Sequence, residues 1–170
     1  MCIRDRPRGE KSERVAALAA ALRAGGLKAP VKTDIRNEVW VKLLGNLAFN
    51  PISVLSGKTL RQICEDPATR ALARDMMLEA QTVGEALGAK FAIDVDKRIA
   101  GAEAVGDHKT SMLQDYESGC PLELDALVTA VQELARRVTL PTPIIDRVLA
   151  SVQEKLQAQG QSTTLTGGLA

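Results

Sequence analysis

The spacing of apolar residues along the chain predicts a helical protein. Val15, Leu18 and Leu22 recur at helical intervals, and two glycines follow them, as at many helix C-termini. Comparable stripes predict helices over residues 11–24, 34–50, 68–87, 94–105, 121–138 and 142–159. Residues 27–33 contain a proline and suit an edge strand or a linker. The pattern therefore indicates an all-α domain over residues 34–159, preceded by a short α/β segment.

Capping and helix-breaking residues set the expected helix ends. Thr33 or Asp34 can cap the second helix, and Pro51 ends or kinks it. The later helices start at residue types that favour helix N-termini, namely Asp94, Pro121 and Thr142. Residues 106–121 have no clean period, so we expect a functional loop there with a turn of helix.

One polar stripe interrupts the most apolar of these helices. In the stretch "VWVKLLGNLAFNP", Lys42, Asn46 and Asn50 are four residues apart, which places them on one narrow strip of a helix. Spacing alone favours the solvent face of an amphipathic helix. The apolar neighbours leave little other polar surface, however, so the strip could instead line a pocket. An unpaired amide buried there would cost about 1–3 kcal/mol, and a ligand or water would have to satisfy it.

Two more residues carry groups that could bind a polar ligand. Ser111 lies in the predicted loop and Glu123 follows it. A helix cap explains Ser111 equally well, and a first-turn carboxylate that stabilises the helix dipole explains Glu123. His108, the single histidine, is typical of a surface loop, and no dinucleotide-binding glycine motif or P-loop occurs. The residues alone predict a helical domain with a candidate polar pocket, and they do not name a reaction.

Composition and charge argue against several classes of protein. The 170 residues are 45% hydrophobic, carry a net charge of +1 and include few aromatic side chains, so nucleic-acid binding is not indicated. Three scattered cysteines and one histidine argue against a disulfide scaffold, a metal site and a Cys–His nucleophile. The chain has neither an apolar run of about 18 residues nor a signal-peptide core, so we expect no membrane span and a cytoplasmic location.

Three stretches of the chain resemble a known family. They are "DIRNEVWVKLLGNLAFNPISVL", "HKTSMLQDYESGCPLELDAL" and "VTLPTPIIDRVL", and they are similar to the C-terminal helical domain of the ketopantoate reductase family. The resemblance rests on W-x-K-x-x-x-N-x-x-x-N-P, then S-x-L-Q-D and a glutamate twelve residues after that serine. It implies an NADPH-dependent oxidoreductase of pantothenate and coenzyme A synthesis. It also implies a helical domain of the 6-phosphogluconate dehydrogenase-like type behind a Rossmann domain, with substrate and nicotinamide in the cleft between them.

The resemblance also implies a domain organisation. We expect residues 1–8 to be a non-native leader or junction, and residues 9–33 to be a remnant of the Rossmann domain, its last helix and strand. Residues 34–159 would form the substrate-binding and catalytic domain, followed by a disordered tail over residues 160–170. The main NADPH site would then lie in a domain absent from this chain, which we expect to be inactive alone. Homodimerisation stays open.

Family roles carry over to the matching positions. Lys42 corresponds to the proton donor, and Asn46 and Asn50 correspond to amides that bind the substrate. Ser111 corresponds to the serine that holds the substrate carboxylate, and Glu123 to a glutamate of the cofactor and substrate site. An ammonium beside the substrate carbonyl could stabilise the alkoxide that hydride addition creates and give it a proton. The implied substrate is a small 2-oxo acid, most simply 2-dehydropantoate, and no metal is implied.

The chain departs from the family pattern beside Glu123. Cys120 and Leu122 stand where many members have Arg and Thr, and we expect them to form a more apolar rim that favours another substrate side chain. A paralogous reductase of a different small 2-oxo acid is therefore one alternative. A non-catalytic dimerisation or ligand-binding module is another.

Overall fold

The computed structural model describes residues 12–32 and 34–160, and within these ranges it contains helices and no strand. The helices are α1 (Glu13–Ala24), α2 (Ile35–Ser56), α3 (Leu60–Glu65), α4 (Pro67–Ala86), α5 (Val95–Glu103), α6 (Ser111–Glu117), α7 (Ala130–Arg137) and α8 (Pro143–Ala158). A π-helical turn over Asp125–Thr129 leads directly into α7. The all-α prediction is confirmed. The expected leader, the tail beyond residue 160 and the cap at Thr33 lie outside the described residues.

The chain divides into two compact units, Met1–Trp40 and Val41–Ala170. In the first unit, Ser12 caps α1 by accepting a hydrogen bond from the backbone N–H of Val15. Residues 27–32 form neither helix nor strand, so they fit the linker interpretation and not the edge strand. A strand needs a neighbour to satisfy its backbone groups, and the described part of the chain provides none.

Helix α2 continues through Pro51 and ends at Ser56, so of the two alternatives for this proline, the one in which it ends the helix is wrong. A proline within a helix costs about 3 kcal/mol, but residues 44–54 bury nearly all their side chains, and that burial offsets the cost. The last carbonyls of α2, those of Val54 and Leu55, accept hydrogen bonds from Lys155 Nζ at 2.9 and 3.2 Å. The long helix is therefore anchored to α8.

The core of the second unit is built around α4, which contacts α3, α5, α7 and α8. The helix predicted over residues 68–87 is confirmed apart from its last residue, and its Met76, Ala80 and Val83 are buried. Leu87 lies beyond the end of α4 at Ala86 and is 42% exposed. The stripe predicted for α8 is buried along its length, at Ile145, Val148, Leu149, Val152 and Leu156. No helix among the described residues is long and apolar enough to cross a bilayer.

Residues 106–123 agree with their prediction at one point and differ at another. The expected loop with a turn of helix contains the short helix α6, which Thr110 caps by accepting a hydrogen bond from the Leu113 N–H at 3.1 Å. The helix expected to begin at Pro121 begins only after Glu123, and Leu122 between them is buried. Burial of Leu122 in the core determines the path of the chain at this point. This is a tertiary interaction, so helix propensity alone does not predict it.

Thr142 occupies the N-cap position of α8 as the sequence predicts, but its side chain makes no cap hydrogen bond. Thr142 Oγ1 donates a hydrogen bond to Asp146 Oδ1 and makes no side-chain cap. The free N–H groups of Ile144 and Ile145 instead donate to the Glu79 carboxylate of α4, at 2.9 to 3.1 Å. A distant carboxylate thus replaces the local cap and complements the helix dipole.

Candidate active site

A cleft of about 320 Å³ is bordered by α2, α5 and the beginning of α6, and its lining residues all belong to the second unit. Phe49, Leu60 and Val105 contribute apolar surface to it. Its polar lining comprises Asn46, Asn50, Arg98, His108, Thr110 and Ser111. The volume lies near the lower limit for small-molecule sites, and a few polar groups set in an apolar cleft are typical of such sites. The cleft therefore suits a small polar ligand.

The polar stripe of α2 reaches this cleft. Asn50 is 6% exposed and Asn46 is the only residue between positions 44 and 54 that is not buried, and both line the cleft. Lys42 is exposed and lies one helical turn before Asn46, about 6 Å along the axis, on the same face. The two amides thus lie in a pocket, and the ammonium stands on the adjoining turn.

A buried pair of hydroxyl groups joins α2 to the N-terminus of α6. Ser53 Oγ donates to the carbonyl oxygen of Asn50 at 2.7 Å and lies 2.5 Å from Thr110 Oγ1. The hydroxyl proton of Ser53 is already donated to the Asn50 carbonyl, so the Thr110 hydroxyl must donate to Ser53 Oγ. The same Thr110 oxygen accepts a hydrogen bond from the Leu113 N–H. These bonds hold Ser111, the first residue of α6, beside the amides of α2.

We predict that Thr110→Val destabilises the protein by about 1–3 kcal/mol, because it removes the cap of α6 and the hydrogen bond to Ser53. Urea unfolding followed by far-UV circular dichroism measures this loss. The matched control is Thr82→Val, since Thr82 is exposed and its hydroxyl binds only a carbonyl of its own helix. Equal stability losses in the two variants would contradict the assigned role of Thr110.

The other predicted residues lie in different places. Ser111 lines the cleft, and the capping alternative does not apply to it because Thr110 is the cap. Glu123 is exposed, precedes the π-helical turn and is not part of the cleft lining. Leu122 is only 2% exposed and also lies outside the lining, so the expectation that it forms an apolar rim is wrong. Cys120 is exposed and does not line the cleft either.

Sequence reasoning missed Arg98 of α5 altogether and gave His108 little weight, yet both line the cleft. Arg98 is one of many arginines in the chain, and its local pattern did not separate it from surface residues. Only the packing of α5 beside α2 reveals its position. The Arg98 Nε atom is buried and has no hydrogen-bond partner among residues 12–32 and 34–160.

Two observations concern metal ligands and the buried thiol of the described residues. Within the ranges that the structure covers, no group of three or more His, Cys, Asp or Glu side chains is arranged to hold a metal ion. Burial, assisted by the negative charge of Glu103, raises the pKa of the Cys64 thiol to about 11. That thiol is therefore protonated at neutral pH. Because the thiolate is the reactive form of cysteine, we interpret Cys64 as a structural residue.

The described residues thus form an all-α domain in which α2 presents two amides to a cleft and carries a lysine on the adjoining turn. A family model described as ketopantoate reductase PanE/ApbA C terminal matches residues 34–156. The chain belongs to this family, and the resemblance read from its motifs is confirmed.

Individual relatives agree with this assignment. The chain is 62% identical over 154 residues to a 2-dehydropantoate 2-reductase of Mesorhizobium japonicum. This match covers 91% of the chain and 47% of the relative. The chain is 31% identical over 156 residues to one of Halobacterium salinarum, covering 91% of the chain and 51% of the relative. The crystal structure of 2-dehydropantoate 2-reductase from Methylococcus capsulatus matches with a TM-score of 0.81 and 33% identity, over 96% of this chain and 56% of that one. The chain thus spans about half the length of these relatives.

Proposed function

We propose that this chain is the substrate-binding and proton-donating part of an NADPH-dependent reductase that converts 2-dehydropantoate to pantoate, for pantothenate and coenzyme A synthesis. The observation that carries the proposal is the cleft in which Asn46, Asn50 and Ser111 come together, one helical turn from Lys42. Close relatives that bear the name 2-dehydropantoate 2-reductase support it. Such an enzyme would act in the cytoplasm on a small-molecule substrate.

In the proposed mechanism each side chain of the cleft has one task. When bound, NADPH supplies a hydride to C2 of the 2-oxo acid. The carbonyl electron pair then moves onto the substrate oxygen, and Lys42 gives that oxygen a proton, so the product is a 2-hydroxy acid. Asn46 and Asn50 donate hydrogen bonds that orient the substrate, and Ser111 donates to its carboxylate end. Because α2 is a rigid mount, the ammonium and the amides keep fixed relative positions.

The residues of this chain fit the acceptor substrate and do not fit the dinucleotide. The sequence has no glycine-rich dinucleotide motif, and the described part of the chain has no strand to precede such a loop. We therefore propose that another domain holds NADPH, and that the exposed Glu123 faces the cofactor side. The chain by itself should neither bind NADPH tightly nor turn over. Appreciable NADPH affinity of the isolated chain in calorimetry would contradict this arrangement.

The direct test is NADPH oxidation by this chain joined to its upstream nucleotide-binding domain, with 2-dehydropantoate as substrate. Turnover supports the proposed reaction. Turnover only with other 2-oxo acids would instead assign a paralogous reductase. If no 2-oxo acid were reduced, the domain would be better explained as a non-catalytic dimerisation or ligand-binding module, and size-exclusion chromatography would establish whether it forms a homodimer.

A further inference from the structure

Arg98 places a guanidinium in the candidate active site, with no hydrogen-bond or ion-pair partner among the residues that the structure describes. It lines the same cleft as Asn46, Asn50 and Ser111, and its buried Nε has no hydrogen-bond partner within residues 12–32 and 34–160. A Cβ atom added to Gly45 would lie 2.6 Å from Arg98 Nη2 and 3.2 Å from Cζ. The guanidinium therefore rests against the backbone of α2 at Gly45, in space that any larger residue would occupy.

The acidic residues around Arg98 are committed to other partners. On α5 and at its cap, Asp94 pairs with Lys97 at 3.4 Å, Asp96 with Arg74 at 3.0 Å and Glu103 with Arg70 at 3.1 Å. In the loop before α6, Asp107 accepts a hydrogen bond from Thr59 and lies 3.8 Å from Arg61. Residues 41–56 of α2 contain no Asp or Glu, and the cleft lining within the described residues contains none. Among the residues that the structure describes, the positive charge of Arg98 is thus left without a counter-ion.

An anion in the cleft would satisfy this guanidinium. A buried polar group without a partner is unfavourable, and more so when it is charged. Because Nε is buried, a carboxylate in the cleft would accept hydrogen bonds from the terminal nitrogens of the guanidinium, whose planar fork of donors suits carboxylate oxygens. The guanidinium and the amides of this cleft therefore favour a small carboxylic acid as the ligand.

We propose that Arg98 binds the carboxylate of the substrate and makes the site selective for small 2-oxo acids in their anionic form. This inference rests on the proposed function and adds a residue to it. Gly45, against which the guanidinium lies, is three residues after Lys42, so the two positions are neighbours on the surface of α2. In a 2-oxo acid the carboxylate carbon is bonded directly to the carbonyl carbon. Arg98 and Lys42 can therefore serve adjacent atoms of one substrate, with Ser111 at the same carboxylate.

The test compares Arg98→Gln with Lys97→Gln in the complete enzyme. Both variants lose one positive charge from α5, but Lys97 is exposed and outside the cleft lining. We expect Arg98→Gln to raise the KM for 2-dehydropantoate about 10- to 100-fold, with a smaller effect on kcat, whereas Lys97→Gln leaves both unchanged. The neutral lactone of the same 2-oxo acid lacks the carboxylate charge, so its KM should not change in Arg98→Gln.

A second variant tests the same contact from the other side. In Gly45→Ala the new Cβ would displace the guanidinium, while alanine favours the helix more than glycine does. We expect a raised KM for 2-dehydropantoate with the helical circular dichroism signal retained. If Arg98→Gln fails to fold, this variant decides the question.

The outcomes separate this inference from the proposed function. An active enzyme whose KM is unchanged in Arg98→Gln, or in Gly45→Ala where Arg98→Gln does not fold, overturns the role of Arg98 and leaves the reaction standing. If the unmodified enzyme reduces no 2-oxo acid, the proposed function fails. Calorimetry with oxamate, a monocarboxylate that is not reduced, then decides. Binding that is lost in Arg98→Gln supports the carboxylate site, and equal binding in both proteins or no binding in either overturns it.

Discussion

Replacing Lys42 with Ala is expected to lower the kcat of the complete enzyme on 2-dehydropantoate by about 10²- to 10⁴-fold, the usual contribution of a positioned general acid. The ammonium would act on charge that develops at the substrate oxygen during reduction. The variant should therefore lose mainly transition-state stabilisation, with little change in KM. Lys42 is exposed, so its truncation should cost little stability.

Steady-state kinetics of NADPH oxidation measure this effect. The matched control is Lys97→Ala, which removes an exposed lysine outside the cleft and should leave kcat unchanged. A variant that raises KM tenfold but keeps its kcat would show that Lys42 binds the substrate without donating the proton. Unchanged kinetics in Lys42→Ala would remove Lys42 from the mechanism altogether.

Replacing Glu79 with Ala is expected to destabilise the protein by about 2–3 kcal/mol. This carboxylate accepts hydrogen bonds from the N–H groups of Ile144 and Ile145, and Thr142 makes no side-chain cap that could replace it. Hydrogen bonds to a charged group contribute about 1.5–3 kcal/mol, and the N-terminus of α8 would lose its acceptor. Glu79→Gln should fall between the wild type and Glu79→Ala, because the amide keeps one acceptor oxygen.

Urea unfolding of both variants measures this loss, with Glu85→Ala as the control. Glu85 is an exposed residue of the same helix, and its side chain accepts a hydrogen bond from Gln81, one turn earlier. We expect the control to lie within about 0.5 kcal/mol of the wild type. A control as unstable as Glu79→Ala would mean that loss of charge from α4, and not loss of the cap, causes the effect.

The candidate site was only partly accessible from the sequence. The spacing of Lys42, Asn46 and Asn50 placed them on one strip of a helix, and the motif around Ser111 marked a second segment. Neither pattern could show that the two segments meet, because the bond that joins them connects Ser53 and Thr110, which are 57 positions apart. For the same reason Arg98 carried no signal, although it lines the same cleft.

The errors at Pro51, Leu122 and Thr142 have one origin. In each case a local rule gave a reasonable expectation, and burial or a distant partner outweighed it by a few kcal/mol or less. Pro51 remains inside α2 because its neighbours are buried, and Leu122 turns into the core where a rim residue was expected. Glu79, which lies 65 positions before Ile144 in the chain, replaces the cap expected from Thr142.

The amino-acid sequence by itself determined the helix content, most helix positions and the family. The periodicity of apolar residues and the spacing within each motif are set over a few turns of one helix, so they can be recognised without the tertiary structure. Which side chains share the cleft was decided by the tertiary structure, because the packing of α5 and α6 against α2 joins residues far apart in the chain. Within the described part of the chain, the same packing leaves the Arg98 guanidinium without a carboxylate partner, since its acidic neighbours pair elsewhere. Whether a charged side chain has a counter-ion depends on contacts between distant parts of the chain, so no local sequence pattern predicts it.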